Sequence, residues 1–179
     1  MSFLNFQLPF LATLAIAAFI PLIIGMIWYN PKVFGNAWLA SIGKTREEMM
    51  GGNMALTFGL AFLCSFFIAF SLNFVVIHQF GFLSMLGNQG EALKDPNSPL
   101  HATVADLMHK YGYNFRTFRH GAFHGVLTGL FLLTPVIGVN AIFERRSFKY
   151  VAIHGGFWIV CAALMGAFIC HFQTGPMHA

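Results

Sequence analysis

HGAFHGVLTGLFLLTPVIGVNAIF (His120–Phe143), ERRSFK (Glu144–Lys149) and YVAIHGGFWIVCAALMGAFICHF (Tyr150–Phe172) follow one another directly in this chain. The two outer blocks contain no Asp, Glu, Lys or Arg, and every charge sits in the short block between them. A helix rises about 1.5 Å per residue, so about 20 apolar residues cross the roughly 30 Å hydrocarbon core of a bilayer. Both blocks meet that length. A connection this short turns the chain straight back, which predicts two antiparallel membrane-spanning helices, the second capped by Ser147.

The pattern extends to the rest of the chain. All ten Lys and Arg and all six Asp and Glu fall in three patches, Lys32–Glu48, Glu91–Arg119 and Glu144–Lys149. The first two uncharged intervals hold apolar runs from Leu8 to Tyr29 and from Met54 to Gln79. The sequence therefore predicts an all-α integral membrane bundle of four transmembrane helices. It reads as one domain over residues 1–179, with spans at about 8–29, 54–79, 119–143 and 150–172 and a long connection at 80–118. A composition of 57% hydrophobic and 9% charged residues agrees, because soluble domains carry roughly 25% charge. The net charge of +4 does not form a continuous basic stripe, so nucleic acid is not the expected partner. No Lys or Arg precedes the first apolar run, and that run exceeds the roughly 7–15 residues of a signal peptide core, so it reads as a retained span.

Finer signals predict shorter elements. Trp28 and Tyr29 together suit a membrane–water interface. Asn30-Pro31 reads as the start of a short interfacial helix ending at Gly43, and Thr45 with Glu48 reads as a capping box that opens the helix of span 2. Asp95-Pro96-Asn97-Ser98-Pro99 breaks the long connection, and Thr103–Lys110 reads as a short helix capped by Thr103 and Asp106. Pro21 and Pro135 lie inside spans 1 and 3, where a missing N–H loosens the helix. Connections 1 and 3 carry Lys32, Lys44, Arg46, Arg145, Arg146 and Lys149, against Lys94, Lys110, Arg116 and Arg119 in connection 2. That bias predicts connections 1 and 3 in the cytoplasm, with the termini outside the inner (plasma) membrane.

Three constellations are candidates for function. Gly121, Gly125 and Gly129 form a flat stripe on span 3, matched by Ala61, Ser65, Ala69 and Asn73 on span 2 and by Ala162 and Gly166 on span 4. Small residues let helix backbones approach closely in a membrane, within one bundle or in a homodimer. His120 and His124 lie one turn apart, and the antiparallel spans bring His78 and His171 to the same membrane face. Imidazoles so placed suit a metal or a haem, though they also settle at interfaces without a ligand. The opposite face gathers Asn30, Lys32, Asn140, Glu144, Arg145, Arg146 and His154, with Glu144 expected to pair with Lys32 or Arg145. Cys64, Cys161 and Cys170 follow no disulfide or zinc spacing.

No acid lies within a span, which counts against ion-coupled transport, and no catalytic motif appears. The expected function is thus non-catalytic: helix–helix association with membrane lipid around it, as a homo-oligomer or an accessory subunit of a larger membrane complex. The alternatives are a metal- or haem-binding subunit using the histidines, and a small carrier or lipid-binding protein. The segments GMIWYNPKVFGNAW (Gly25–Trp38), HGAFHG (His120–Gly125) and NAIFERRSFKY (Asn140–Tyr150), with Met165-Gly166, resemble the bacterial membrane family catalogued as domain-of-unknown-function family 1761. The resemblance implies a four-helix bundle in a bacterial inner membrane and transfers no catalytic residue. The connection Phe80–Phe118 looks longer than is usual in that family.

Overall fold

The computed structural model describes residues 8–49 and 51–174. Four helices are long and apolar enough to cross a membrane: Phe10–Trp28, Met54–Val76, Phe118–Phe143 and Phe148–Phe172, here spans 1 to 4. Among the described residues there is no strand, only one isolated bridge between Leu8 and Gln173. The four-span, all-α reading is therefore what the chain adopts, and it is a multi-pass membrane protein.

Span 4 is the axis. In its most apolar stretch 56% of residues are buried, against 28%, 17% and 11% in spans 1, 2 and 3. It packs on all three partners, and spans 1 and 2 also pack on each other. The main core lies among spans 1, 2 and 4, where Leu14, Ala17, Ala69, Leu72, Val76, Met165 and Ile169 are sealed from solvent. The outer faces of spans 2 and 3 expose Phe67, Phe131, Leu132 and Ile142, as lipid-facing surfaces do.

The glycine stripe is used inside this bundle. A Cβ on Gly121 would strike the Gly166 carbonyl and lie 2.5 Å from Cys170 Cβ, and one on Gly125 would strike the Ala162 carbonyl. A Cβ on Gly129 would lie 2.5 Å from Ile159 Cα. Span 3 thus meets Ala162 and Gly166 of span 4 backbone to backbone, where dispersion and not the hydrophobic effect holds helices together. Ser65 and Ala69 are buried and Ala61 half-buried on span 2, but the glycines oppose span 4 and not that stripe.

Several boundaries differ from those the sequence predicts. Span 1 starts at Phe10, and Leu8 instead bonds across to the end of span 4: Leu8 N–H to the Phe172 carbonyl at 2.7 Å, and Thr174 N–H to the Leu8 carbonyl at 3.0 Å. The start of span 1 and the end of span 4 thus share one face. The Thr45–Glu48 box forms, with Glu48 accepting from Thr45 N–H at 2.7 Å, yet its helix is only Arg46–Met49. Gly52, at φ 98°, lies between that turn and span 2, which takes its own cap from Asn53, whose side chain accepts from Leu56 N–H. The interfacial helix is Gly35–Ile42, stopped by Gly43 in the left-handed conformation; Pro31 precedes it in a turn. The connection helix is Pro99–Tyr111, capped by Ser98, so Thr103 and Asp106 lie inside it and not at its start. Span 3 widens into one π turn at Gly129–Leu133. Pro135 cannot donate to the carbonyl one turn back and crowds it. Thr134 reaches past it, with N–H and hydroxyl both on the Gly129 carbonyl.

Candidate metal centre at one membrane face

The break after span 2 builds the site. Val75, Val76 and Ile77 are β-branched in succession, which crowds the preceding helical turn. The helix stops at Val76. Ile77 turns extended (φ −111°, ψ 91°) with its side chain fully buried, and His78 opens a new helix, His78–Ser84. His78 therefore does not end span 2, as the hydrophobic run suggested; it starts the next element and points differently. The Cys170 thiol of span 4 donates to the freed Val76 carbonyl at 3.5 Å.

His120 and His124 come from the first turns of span 3. Thr117 caps that helix by accepting from His120 N–H at 3.2 Å. The break brings His78 onto this pair. Its Nε2 lies 2.9 Å from Nε2 of His120, and its ring centroid lies 5.0 Å from that of His120 and 4.9 Å from that of His124. One ligand nitrogen from each of the three falls within 4.8 Å of the other two, and no acid or cysteine joins the group among the described residues. Tetrahedral coordination with metal–nitrogen bonds of about 2.0–2.1 Å sets ligand nitrogens about 3.3 Å apart. The spacing here straddles that value, so rotations about side-chain bonds suffice to close it.

His171, the fourth histidine expected here, is exposed, stacks edge-on with Phe172 and does not join the group. It follows the last turns of span 4 around to another side of the bundle. His101 is held elsewhere, its Nδ1 on the Leu93 carbonyl at 2.7 Å.

Two features beside the trio escaped the sequence reading. Phe115 has φ 62°, a left-handed conformation that is strained for a bulky residue and occurs most often at functional sites. Its ring lies 5.2 Å from His120, and its carbonyl, 3.4 Å from Cys170 Sγ, shares the one thiol proton with the Val76 carbonyl. Next to it, Arg116 clasps the end of span 4. Its Nε donates to the Cys170 carbonyl at 2.9 Å, and Nη2 donates to the Gln173 carbonyl. Burial pulls its pKa below the ordinary value, while the carbonyls of a helix C-terminus favour a cation. We expect Arg116→Ala to cost about 1.5–3 kcal/mol, the range for hydrogen bonds to a charged group, seen as a lower unfolding midpoint in detergent; Arg116→Lys should recover part of it. An Ala variant as stable as the parent would show that the clasp contributes nothing.

Among the described residues the opposite face carries no such centre. Asn30, Lys32, Asn140, Glu144 and Arg145 are all exposed. Asn30 accepts from Lys32 N–H. Glu144 pairs with Arg146 at 3.3 Å, and not with Lys32 or Arg145. Arg145 occupies a left-handed turn (φ 55°). Arg146 also donates to the Ile42 carbonyl, tying connection 3 to connection 1. Trp28 and Tyr29, expected at the membrane–water interface, are half-buried against span 4. Trp28 Nε1 donates to the Ile153 carbonyl, and the Tyr29 hydroxyl bonds His154 Nδ1 at 3.0 Å. Burial raises the Tyr29 pKa, so this hydroxyl stays protonated.

Neither a curated protein nor a solved structure matches the chain. A family model does, over residues 12–170, a stretch that takes in His78, His120 and His124. The chain belongs to the family described as Protein of unknown function (DUF1761).

Proposed function

We propose that this membrane protein binds one divalent first-row transition metal, zinc foremost, on His78, His120 and His124. The observation that carries the reading is the convergence of three imidazoles from two elements within 4.8 Å. Imidazole suits zinc, copper, nickel and iron. Three protein ligands leave a fourth position open, the pattern of zinc sites that exchange a ligand and unlike the closed four-ligand structural sites. The strained Phe115 beside the trio supports a functional role for this face over simple interfacial packing.

Association through the small-residue stripes has less behind it, because Gly121, Gly125 and Gly129 are already filled by span 4. In a plasma membrane the charge bias supports an orientation with connections 1 and 3 in the cytoplasm, in which the trio faces outward.

Elemental analysis of the purified full chain, prepared without chelators, tests the metal reading. We expect close to one equivalent of metal, retained through dialysis, or taken up from added zinc after stripping. A protein that is metal-free and takes up no zinc would sink the proposal.

A further inference from the structure

A pocket adjoins the trio at His78. A cavity of about 320 Å³ lies between the His78–Ser84 helix and the Pro99–Tyr111 helix. Its lining includes His78, Gln79, Phe82, Leu107, Met108 and Phe115. Two of these residues also belong to the metal centre: His78 as a ligand, and Phe115 as the ring packed on His120. The pocket therefore adjoins the trio, sharing His78 with it and meeting it through Phe115, which packs on His120. Its size is at the lower end for small-molecule sites, and its greasy walls with a few polar groups are what such sites show. The walls are fixed in part by Gln79, whose side chain donates to the Asn114 carbonyl at 3.1 Å.

Charge selects the head of the occupant. Three neutral imidazoles leave a bound dication uncompensated, and no carboxylate joins them among the described residues. The acid of the overlying helix, Asp106, is taken up by Lys110 at 2.8 Å. An anionic oxygen donor is the missing complement. The walls select the tail, since Phe82, Leu107, Met108 and Phe115 offer a hydrocarbon surface. The location beside the ends of spans 2 and 3 gives access to molecules partitioned in the bilayer.

We infer that the centre takes a medium-chain alkyl carboxylate, with its oxygen completing the metal's coordination and its chain lying in the pocket toward Leu107 and Met108. This rests on the metal-binding reading above. The carboxylate binds as an anion without covalent change, displacing water or a weak ligand from the metal.

Cobalt(II) in place of zinc makes the coordination visible. The full chain in phosphatidylcholine nanodiscs, loaded with cobalt, is titrated with acetate, hexanoate and decanoate, and with decanol and decyltrimethylammonium. We expect decanoate to shift the visible cobalt bands saturably, and affinity to rise about threefold to fourfold per added methylene until the pocket is full. Decanol and the cation should leave the bands unchanged. Leu107→Glu, which places a like charge in the pocket wall, should keep cobalt and lose decanoate at least tenfold. Because cobalt retention reports the fold, loss of decanoate alone cannot come from misfolding. A cobalt-loaded protein whose bands ignore decanoate, answer acetate equally well, or persist in responding in Leu107→Glu overturns this inference and leaves metal binding standing. Failure to load cobalt or zinc overturns both.

Discussion

Gly125→Val is expected to prevent spans 3 and 4 from closing, and with them the bundle. The Cβ of any residue at this position would strike the Ala162 carbonyl and lie 2.6 Å from its carbon and 2.7 Å from Ala163 Cα. These are backbone atoms of span 4, the helix on which every other span packs, and a backbone cannot swing aside as a side chain can. Overpacking a filled interior costs about 1–3 kcal/mol, and more when the neighbours are rigid. Valine adds two methyls beyond the Cβ, so a loss of at least about 3 kcal/mol is expected. Separating the helices also forfeits dispersion contacts along the whole stripe. The readout is the unfolding midpoint in detergent, with the fraction surviving size exclusion after mild heating. Gly138→Ala is the control, since a Cβ there meets nothing nearer than Val151 Cγ1 at 4.0 Å. It should be neutral or slightly stabilising, as expected when glycine leaves a helix interior. A Gly125→Val protein that melts like the parent but loses an oligomer would instead assign the stripe to contact between copies.

His120→Ala should abolish tight metal binding while leaving the fold in place. His120 is the central member of the trio, bonded to His78 and stacked on His124 with ring centroids 4.5 Å apart. Removing it leaves two imidazoles on different helices. Losing a partner in the outer shell of a metal site already costs about 10–100-fold in affinity, so losing a direct ligand should cost at least about 100-fold. His78→Ala and His124→Ala should behave alike, and a second substitution in the trio should cost much less than the first, because the three act as a unit. His171→Ala and His109→Ala should bind as the parent does. Competition against a chromophoric zinc chelator measures all of these. If the triple alanine variant holds zinc as tightly as the parent, the trio is not the site. Half-exposed positions at a helix start tolerate alanine well, so the unfolding midpoint should barely move.

The two predictions draw on different kinds of information. The glycine stripe could be read from spacing alone, because glycines four apart always share one face of a helix. Which helix they meet could not, since span 2 carried an equally plausible row in Ala61, Ser65 and Ala69. The histidine site was legible in its His120–His124 half for the same reason of spacing. Its third member depended on a break that the hydrophobic run conceals. Phe74–Gln79 scores as continuous span, and only the β-branched Val75-Val76-Ile77 hints that the helix stops. With an unbroken helix, His78 would occupy the next position around span 2 and not open a new element. His171 failed for the converse reason. Placing it on the correct membrane face fixed its depth, but its rotation around span 4 points it away.

The sequence by itself determined that this is a membrane protein, how many times it crosses, and where each crossing roughly begins and ends. Those properties are one-dimensional. Apolar length and the need to satisfy every backbone hydrogen bond within a segment act on contiguous residues, so they are written contiguously. The tertiary structure alone decided that span 4 is the axis, that Arg116 and the strained Phe115 fasten the long connection, and that His78 meets His120 and not His171. Those contacts join residues far apart in the chain, 42 positions for the His78–His120 pair. They depend on helix rotation and on one break in a helix, both set by how neighbouring surfaces pack.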